Sequence, residues 1–376
     1  MLKIIIIILL ILGAVGYFTV SLTRTQTSDN SPLTNPQSLV ETIASTLPTI
    51  IPTTPPSPAP IPLNVPQSKT LTNDYHIFQT YNNCGPAALS MALSYYGVNK
   101  SQAQLGEELR PYQIPGGDND DKSVTLEEVA EKSKEYGLTP FLRPNGNNEI
   151  IKKFIASDIP VVARTWLKEG DDIGHYRIIK GYDDTTNEFI QDDSLQGKNL
   201  RYSYDSFDRI WDKFNYQYLV LVPENKLSIA KQIIGEDLDE KIAWKKAVDL
   251  SKQKILENPN DYTAGFNLSV AYYKLGDYQK SVEEFEKVQS RLPFRTLWYQ
   301  IEPILAYYQL GNYNRVIQIS DQILGYHNRA YSELYILKGN IYLKQGNKEA
   351  ARTEFQKALQ YNKNLTAAQE ALSSLN

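Results

Sequence analysis

Gln79-Thr80-Tyr81-Asn82-Asn83-Cys84-Gly85-Pro86-Ala87-Ala88 holds the only cysteine of a 376-residue chain. An unpaired thiol cannot staple a fold, so its role is narrowed. Pro86 suits the first helical position and Ala87-Ala88-Leu89-Ser90-Met91-Ala92-Leu93 continues with strong helix formers, which predicts a helix beginning immediately after Cys84. The sulfur then sits at a helix N-terminus, where the positive end of the dipole and the free N–H groups favour the thiolate. Gln79 can supply a side-chain N–H that, beside the backbone N–H of Cys84, makes a two-donor hole for a developing oxyanion. A free cysteine is more often a small buried hydrophobe. The helix start, the upstream glutamine and the partners downstream favour a nucleophile.

A nucleophilic thiol needs a base, and the chain has three histidines, His76, His175 and His327. His175 opens Gly174-His175-Tyr176-Arg177-Ile178-Ile179-Lys180-Gly181-Tyr182-Asp183-Asp184, which reads as a strand ending in a turn, after an apolar strand at Ile159–Arg164. A further strand over Glu188–Gln191 runs into Asp192-Asp193-Ser194, so a carboxylate can sit beside His175 and orient its ring. His76 is expected near the entrance of the domain, and His327 in a turn, neither with a strand-borne acid beside it. The order along the chain is Gln, Cys, His, Asp.

Four stretches together resemble the papain-like cysteine peptidases related to bacteriocin-leader-processing (double-glycine, C39-like) enzymes, over roughly Asn64 to Pro223. They are Gln79–Ala88, Asp121–Glu128, Gly174–Asp184, and Asp193–Asn199 followed by Phe207-Asp208-Arg209-Ile210-Trp211. The resemblance implies Cys84 as nucleophile, His175 as general base and acid, Asp193 as the orienting carboxylate and Gln79 in the oxyanion hole. Family members commonly carry Asp-Pro where this chain has Asp193-Ser194, preceded by a second acid, Asp192. Successive strand residues point to opposite faces, so only one of these two acids can aim at His175; Asp193 is favoured because the following Ser-Leu-Gln-Gly fits better. Leader-processing relatives are joined to export transporters and cut after a double glycine. No transporter is present here, and the pair Gly116-Gly117 reads as part of a turn-rich surface loop. The acids of that loop fail the calcium-loop test, since counting from Asp118 the sixth and twelfth positions are Ser123 and Val129.

Around this domain the chain predicts three other parts. Ile4 to Leu22 is an apolar run close to the roughly 20 residues that cross a bilayer, without a clear cleavage site after it, and reads as an uncleaved anchor over residues 1–24 with the rest of the chain outside. Residues 25–66 are rich in Pro, Ser and Thr and cannot build a core; Pro48 to Pro66 as polyproline would span on the order of 50 Å, a stalk. Residues 67–225 form the peptidase-like domain, with helices expected after Cys84, near 125–136 and near 149–155, then strands around Val162, Ile178, Ile190 and Tyr218–Val222. That order gives an α+β class.

Residues 226–376 carry a repeat. Ala271-Tyr272-Tyr273-Lys274-Leu275-Gly276-Asp277-Tyr278 recurs as Ala306–Tyr313 and Ile341–Lys348, with Gly276, Gly311 and Gly346 each 35 residues apart. That is close to the period of about 34 of tetratricopeptide (TPR) repeats, which these units resemble, implying an all-α solenoid with a partial repeat from near Glu240 and a capping helix over Leu365–Leu375. Such arrays bind peptide segments or protein partners along a concave face; the tyrosines are read as helix packing.

The formal charge of −4 divides into −9 for residues 1–240 and +5 for 241–376. No basic cluster interleaved with aromatics, phosphate loop or metal-ligand spacing occurs, so neither nucleic acid nor a cofactor is expected. The leading expectation is a membrane-anchored, extracytoplasmic cysteine peptidase acting on peptides or proteins, with the repeats recruiting substrate or partner. A cell-wall amidase or transglutaminase-type acyl transferase and a non-catalytic scaffold are the alternatives.

Overall fold

The computed structural model describes residues 61–112, 124–325 and 328–375. The predicted anchor, most of the stalk, the Gly116-Gly117 loop with Asp118 to Ser123, and His327 lie outside these residues. Among the described residues no helix is long and apolar enough to cross a membrane.

A short strand β1 (Ser68–Thr70) precedes three helices, α1 (Cys84–Ser94), α2 (Gln102–Leu109) and α3 (Leu126–Lys134). There follow β2 (Thr139–Arg143), α4 (Asn148–Ala156), β3 (Val161–Trp166), β4 (Gly174–Asp183), β5 (Glu188–Asp193), β6 (Gly197–Ser203), α5 (Tyr204–Trp211), β7 (Tyr218–Val222) and α6 (Leu227–Ile234). All strand pairs are antiparallel in the order β2-β7-β3-β4-β5-β6, with β1 on β4. The sheet is buried on both faces because its strands alternate between two apolar sets. Val162, Ile178, Leu219 and Leu221 meet α1 and α3 on one side. Val161, Ala163, Ile179, Tyr218 and Val220 meet α4, α5 and α6 on the other. Through Ala230 and Ile234, α6 joins this second core, although it begins beyond the 225/226 boundary read from the sequence.

The helix expected after Cys84 already includes it: Cys84 is its first residue, Asn83 its cap, and Pro86, expected at the first helical position, its third. Ala87 N donates to Asn83 O at 3.0 Å as the first helical bond, and the missing N–H of Pro86 costs nothing within the first turn. Helix α2, strands β2 and β6 and helix α5 were not anticipated. Each is short, and α2 carries only Ala103, Leu105 and Leu109 as apolar residues, so periodicity carries little signal there. Two capping boxes, Ser101 with Gln104 and Thr125 with Glu128, start α2 and α3.

The C-terminal part is helical throughout: α7 (Glu240–Glu257), α8 (Tyr262–Lys274), α9 (Tyr278–Val288), the short α10 (Thr296–Tyr299), α11 (Glu302–Gln309), α12 (Tyr313–Gly325), α13 (Ser332–Lys344), α14 (Lys348–Tyr361) and α15 (Thr366–Ser374). The pairs α8/α9, α11/α12 and α13/α14 are the three repeats. Gly276, Gly311 and Gly346 have φ of +81°, +74° and +78°, a left-handed turn that glycine adopts without strain, which explains the 35-residue recurrence. The residue after each, Asp277, Asn312 or Asn347, accepts a backbone N–H of the following helix, from Lys280, Arg315 and Ala350.

Candidate active site

Cys84 opens α1 and is 4% exposed, and as the first helical residue its N–H has no intrahelical acceptor. Gly85 beside it lets Val124 approach to where a Cβ would be only 3.0 Å away. The Cys84 thiol interacts with the His175 ring. Nε2 of that ring meets Asp193 Oδ1 at 2.8 Å, which leaves Nδ1 for the sulfur.

Asp193 is fully buried and its carboxylate accepts four hydrogen bonds. Oδ1 takes His175 Nε2 and the backbone N–H groups of Leu195 at 2.7 Å and Gln196 at 2.8 Å; Oδ2 takes Arg177 at 2.6 Å. Burial alone would raise its pKa, but the His175 hydrogen bond and charge, Arg177 and the Gln196 N–H together hold it below the usual carboxylate range. Burial likewise pushes the His175 imidazolium toward losing its proton. The hydrogen bonds to Asp193 and Cys84 outweigh this, and the ring titrates above its ordinary value.

Asp192 is not brought to this cluster. Strand alternation turns it to the opposite face, where it pairs with buried Lys180 at 2.7 Å and accepts Asn199 N–H at 2.9 Å. Gln79 is tied to Ser194, the residue after Asp193. Its N–H donates to Ser194 O at 2.7 Å, and its Oε1 accepts the Ser194 hydroxyl at 2.8 Å. With the amide oxygen so engaged, Nε2 is the end left to donate. Ser194 therefore supplies a bond that orients the Gln79 amide.

Two residues beside His175 and Asp193 were missed from sequence. His76, expected near the domain entrance, places Nε2 at 3.0 Å from Asp193 O, so residues 76 and 79 both bind the turn after β5. Arg177 is wholly buried, donates to Asp193 and to Thr165 Oγ1 at 3.0 Å, and lies over the Tyr202 ring. It stands two residues after His175 and pairs in register with Asp193, so strand periodicity could have found it. Nothing local in the sequence marked His76.

Helix α8 of the repeats also touches the peptidase part. On α8, Thr263, Asn267 and Lys274 share one face and meet Lys213 at 3.3 Å, Asn215 at 3.3 Å and Glu127 at 3.0 Å. That face of α8 is therefore occupied by the chain itself.

Among the described residues no cluster of His, Cys, Asp and Glu has metal-holding geometry. In comparisons with known proteins, the model of the Peptidase_C39 like family matches residues 62–219, and tetratricopeptide repeat models match residues 264–291 and 332–365. Comparison with curated proteins finds no match. Among solved structures, the peptidase domain of Streptococcus ComA, a bifunctional ABC transporter involved in quorum sensing, is 22% identical; the match covers 39% of this chain and 97% of that one, with a TM-score of 0.31. Xylellain, a cysteine protease from Xylella fastidiosa, is 12% identical, with 43% and 87% covered and a TM-score of 0.33. A thermophilic TPR protein from Thermus thermophilus is 21% identical, with 37% and 76% covered and a TM-score of 0.29. The family matches bear out the resemblance read from the sequence: a C39-like peptidase domain followed by tetratricopeptide repeats.

Proposed function

We propose that this chain is a cysteine peptidase in which Cys84 attacks the scissile carbonyl, His175 carries the proton, Asp193 orients the imidazole and Gln79 completes the oxyanion hole. The observation that carries this reading is the 2.8 Å hydrogen bond of His175 Nε2 with Asp193 Oδ1, which leaves Nδ1 for Cys84, whose thiol interacts with the same ring. The pattern is nucleophile, base and orienting acid.

In acylation the thiol proton passes to His175 and the Cys84 Sγ–C bond forms. The carbonyl oxygen becomes an oxyanion facing the N–H of Cys84 and Nε2 of Gln79. The C–N bond then breaks as His175 gives its proton to the departing amine. In deacylation His175 takes a proton from water, the resulting hydroxyl adds to the thioester carbonyl, the C–S bond breaks and a carboxylic acid leaves. Arg177 keeps Asp193 ionised and so keeps the imidazole in one tautomer.

The apolar run Ile4–Leu22 and the Pro-rich stretch after it support attachment to a membrane, with the catalytic and repeat parts on the outer side. The repeats support recruitment of a protein or peptide. The test is a peptide library offered to the full chain and to its Cys84→Ala variant. The reading expects cleavage by the first only, and equal cleavage by both would sink it. Accessibility of the repeats to added protease in intact cells tests the location; protection of the repeats refutes it.

A further inference from the structure

Tyr299 ends α10, between the first and second repeats, and its ring lies directly on the backbone of Gly174, the residue before His175. A Cβ at Gly174 would stand 3.0 to 3.1 Å from three carbons of that ring, so the close approach requires glycine. The Gly174 N–H also interacts with the Tyr299 phenol oxygen.

Three tethers hold this tyrosine to the peptidase part. Its carbonyl accepts Arg164 at 3.1 Å, its neighbour Gln300 donates to Lys213 O at 3.1 Å, and Arg295, just before α10, binds the Asp172 carboxylate. Arg164 lies over the rings of Phe214, Tyr176 and Tyr299, at 4.7, 5.8 and 5.6 Å from their centroids. It precedes Thr165, which pairs in register with His175. The start of β4 is thus bound by β3 along one edge and by Tyr299 above.

We propose that Tyr299, contributed by the repeat array, is a positioning residue for His175, and that the peptidase site is complete only when the array is docked. This rests on the cysteine-peptidase reading above. Burial pushes the Tyr299 phenol up to about 12, against the lowering effect of the Gly174 N–H and with a smaller upward contribution from Cys84. It stays neutral through the physiological range and serves as an anchor, not a proton carrier. Its action passes through the Gly174 backbone to the imidazole, which faces Asp193 and Cys84, with Arg177 bound to the same Asp193 carboxylate. A displacement of about 1 Å at a reacting group can cost on the order of a hundredfold in rate, so such an anchor has catalytic weight.

The test is alkylation of Cys84 by iodoacetamide across pH in the full chain, for wild type, Tyr299→Phe, Tyr299→Ala and Gly174→Ala, with thermal midpoints measured alongside. Because the imidazolium lies against the sulfur, the profile contains a step at which His175 titrates, and the position of that step does not depend on how easily the reagent enters. The expected result is that Tyr299→Ala and Gly174→Ala move the step down toward the ordinary imidazole range. The rate below the step should fall about tenfold or more. Tyr299→Phe keeps the ring and loses only the hydroxyl, so it should lose a few-fold and remain folded. Unchanged steps in all three variants, with lowered thermal midpoints alone, would show a structural role and overturn the inference. A wild-type profile with no His175 step would overturn the cysteine-peptidase reading and this inference with it.

Discussion

Asp193→Asn removes one negative charge and almost no volume. In the wild type, Oδ1 accepts three N–H groups and Oδ2 accepts the Arg177 guanidinium at 2.6 Å, with both residues fully buried. An asparagine oxygen can replace only one of these positions. If it faces His175 and the two backbone N–H groups, its NH2 meets Arg177, donor against donor. If it turns round, its NH2 meets three donors. Either way a buried guanidinium loses its counter-charge, and breaking such a pair from one side costs about 3–5 kcal/mol. That is a large part of the roughly 5–15 kcal/mol that stabilises a typical domain.

The pH dependence of that loss has a definite sign. The Asp193 carboxyl is held below its ordinary value, so its share of stability is present above the unfolded pKa of about 3.9 and is lost as pH falls through the folded value. The His175 imidazolium is held above its ordinary value, so its share is complete below about pH 6.5 and is lost as pH rises through the folded value. The difference between wild type and variant is therefore greatest between about pH 4 and 6.5, and above that window it narrows to the Arg177 share. Urea unfolding of both full chains at about pH 5.5 and about pH 9 measures this. A difference under about 1 kcal/mol, or one that does not change between the two pH values, would refute the reasoning.

Gln79→Ala should lower kcat by about 10² to 10³, the usual loss for one oxyanion donor, while Ser194→Ala removes an orienting bond of about 1 kcal/mol and should cost only a few-fold. Equal losses in kcat would mean that Ser194 does more than orient the amide. Gly339→Ala places a Cβ 2.5 Å from the Phe355 ring at the crossing of α13 and α14, and should destabilise the chain by about 1–3 kcal/mol in urea. An unchanged unfolding midpoint would show that this crossing is looser than the structure has it.

The parts of the site legible in the sequence are those that obey local rules. Cys84 announces itself through Pro86 and the helix formers after it, and His175 through a strand whose pairing partner ends in acids. The choice between Asp192 and Asp193 follows from strand parity once the pairing is known, because Arg177 stands opposite Asp193 and Ile178 opposite Asp192. His76 and Tyr299 were not legible, since each reaches the site through distant pairings with the turn after β5 and with Gly174. The repeat was legible through its turns, where glycine must take a positive φ, but the side on which the array docks depends on Thr263, Asn267 and Lys274. These look like ordinary polar helix positions until the peptidase part lies against them.

Lys363 and Asn364, between α14 and α15, reach back to α2: Lys363 pairs with Glu107, and Asn364 Nδ2 donates to the carbonyls of Glu107 and Glu108 at 3.0 Å. The residues joined by the bond to Glu108 are 256 positions apart in the chain. At a synthesis rate of roughly 5–20 residues per second, α2 waits about 13–50 s for this partner. The newborn chain thus carries Gln79, Cys84, His175 and Asp193 long before the contact that closes the array onto α2 exists. A product stopped short of residue 363 would hold all four of these residues and lack that closure.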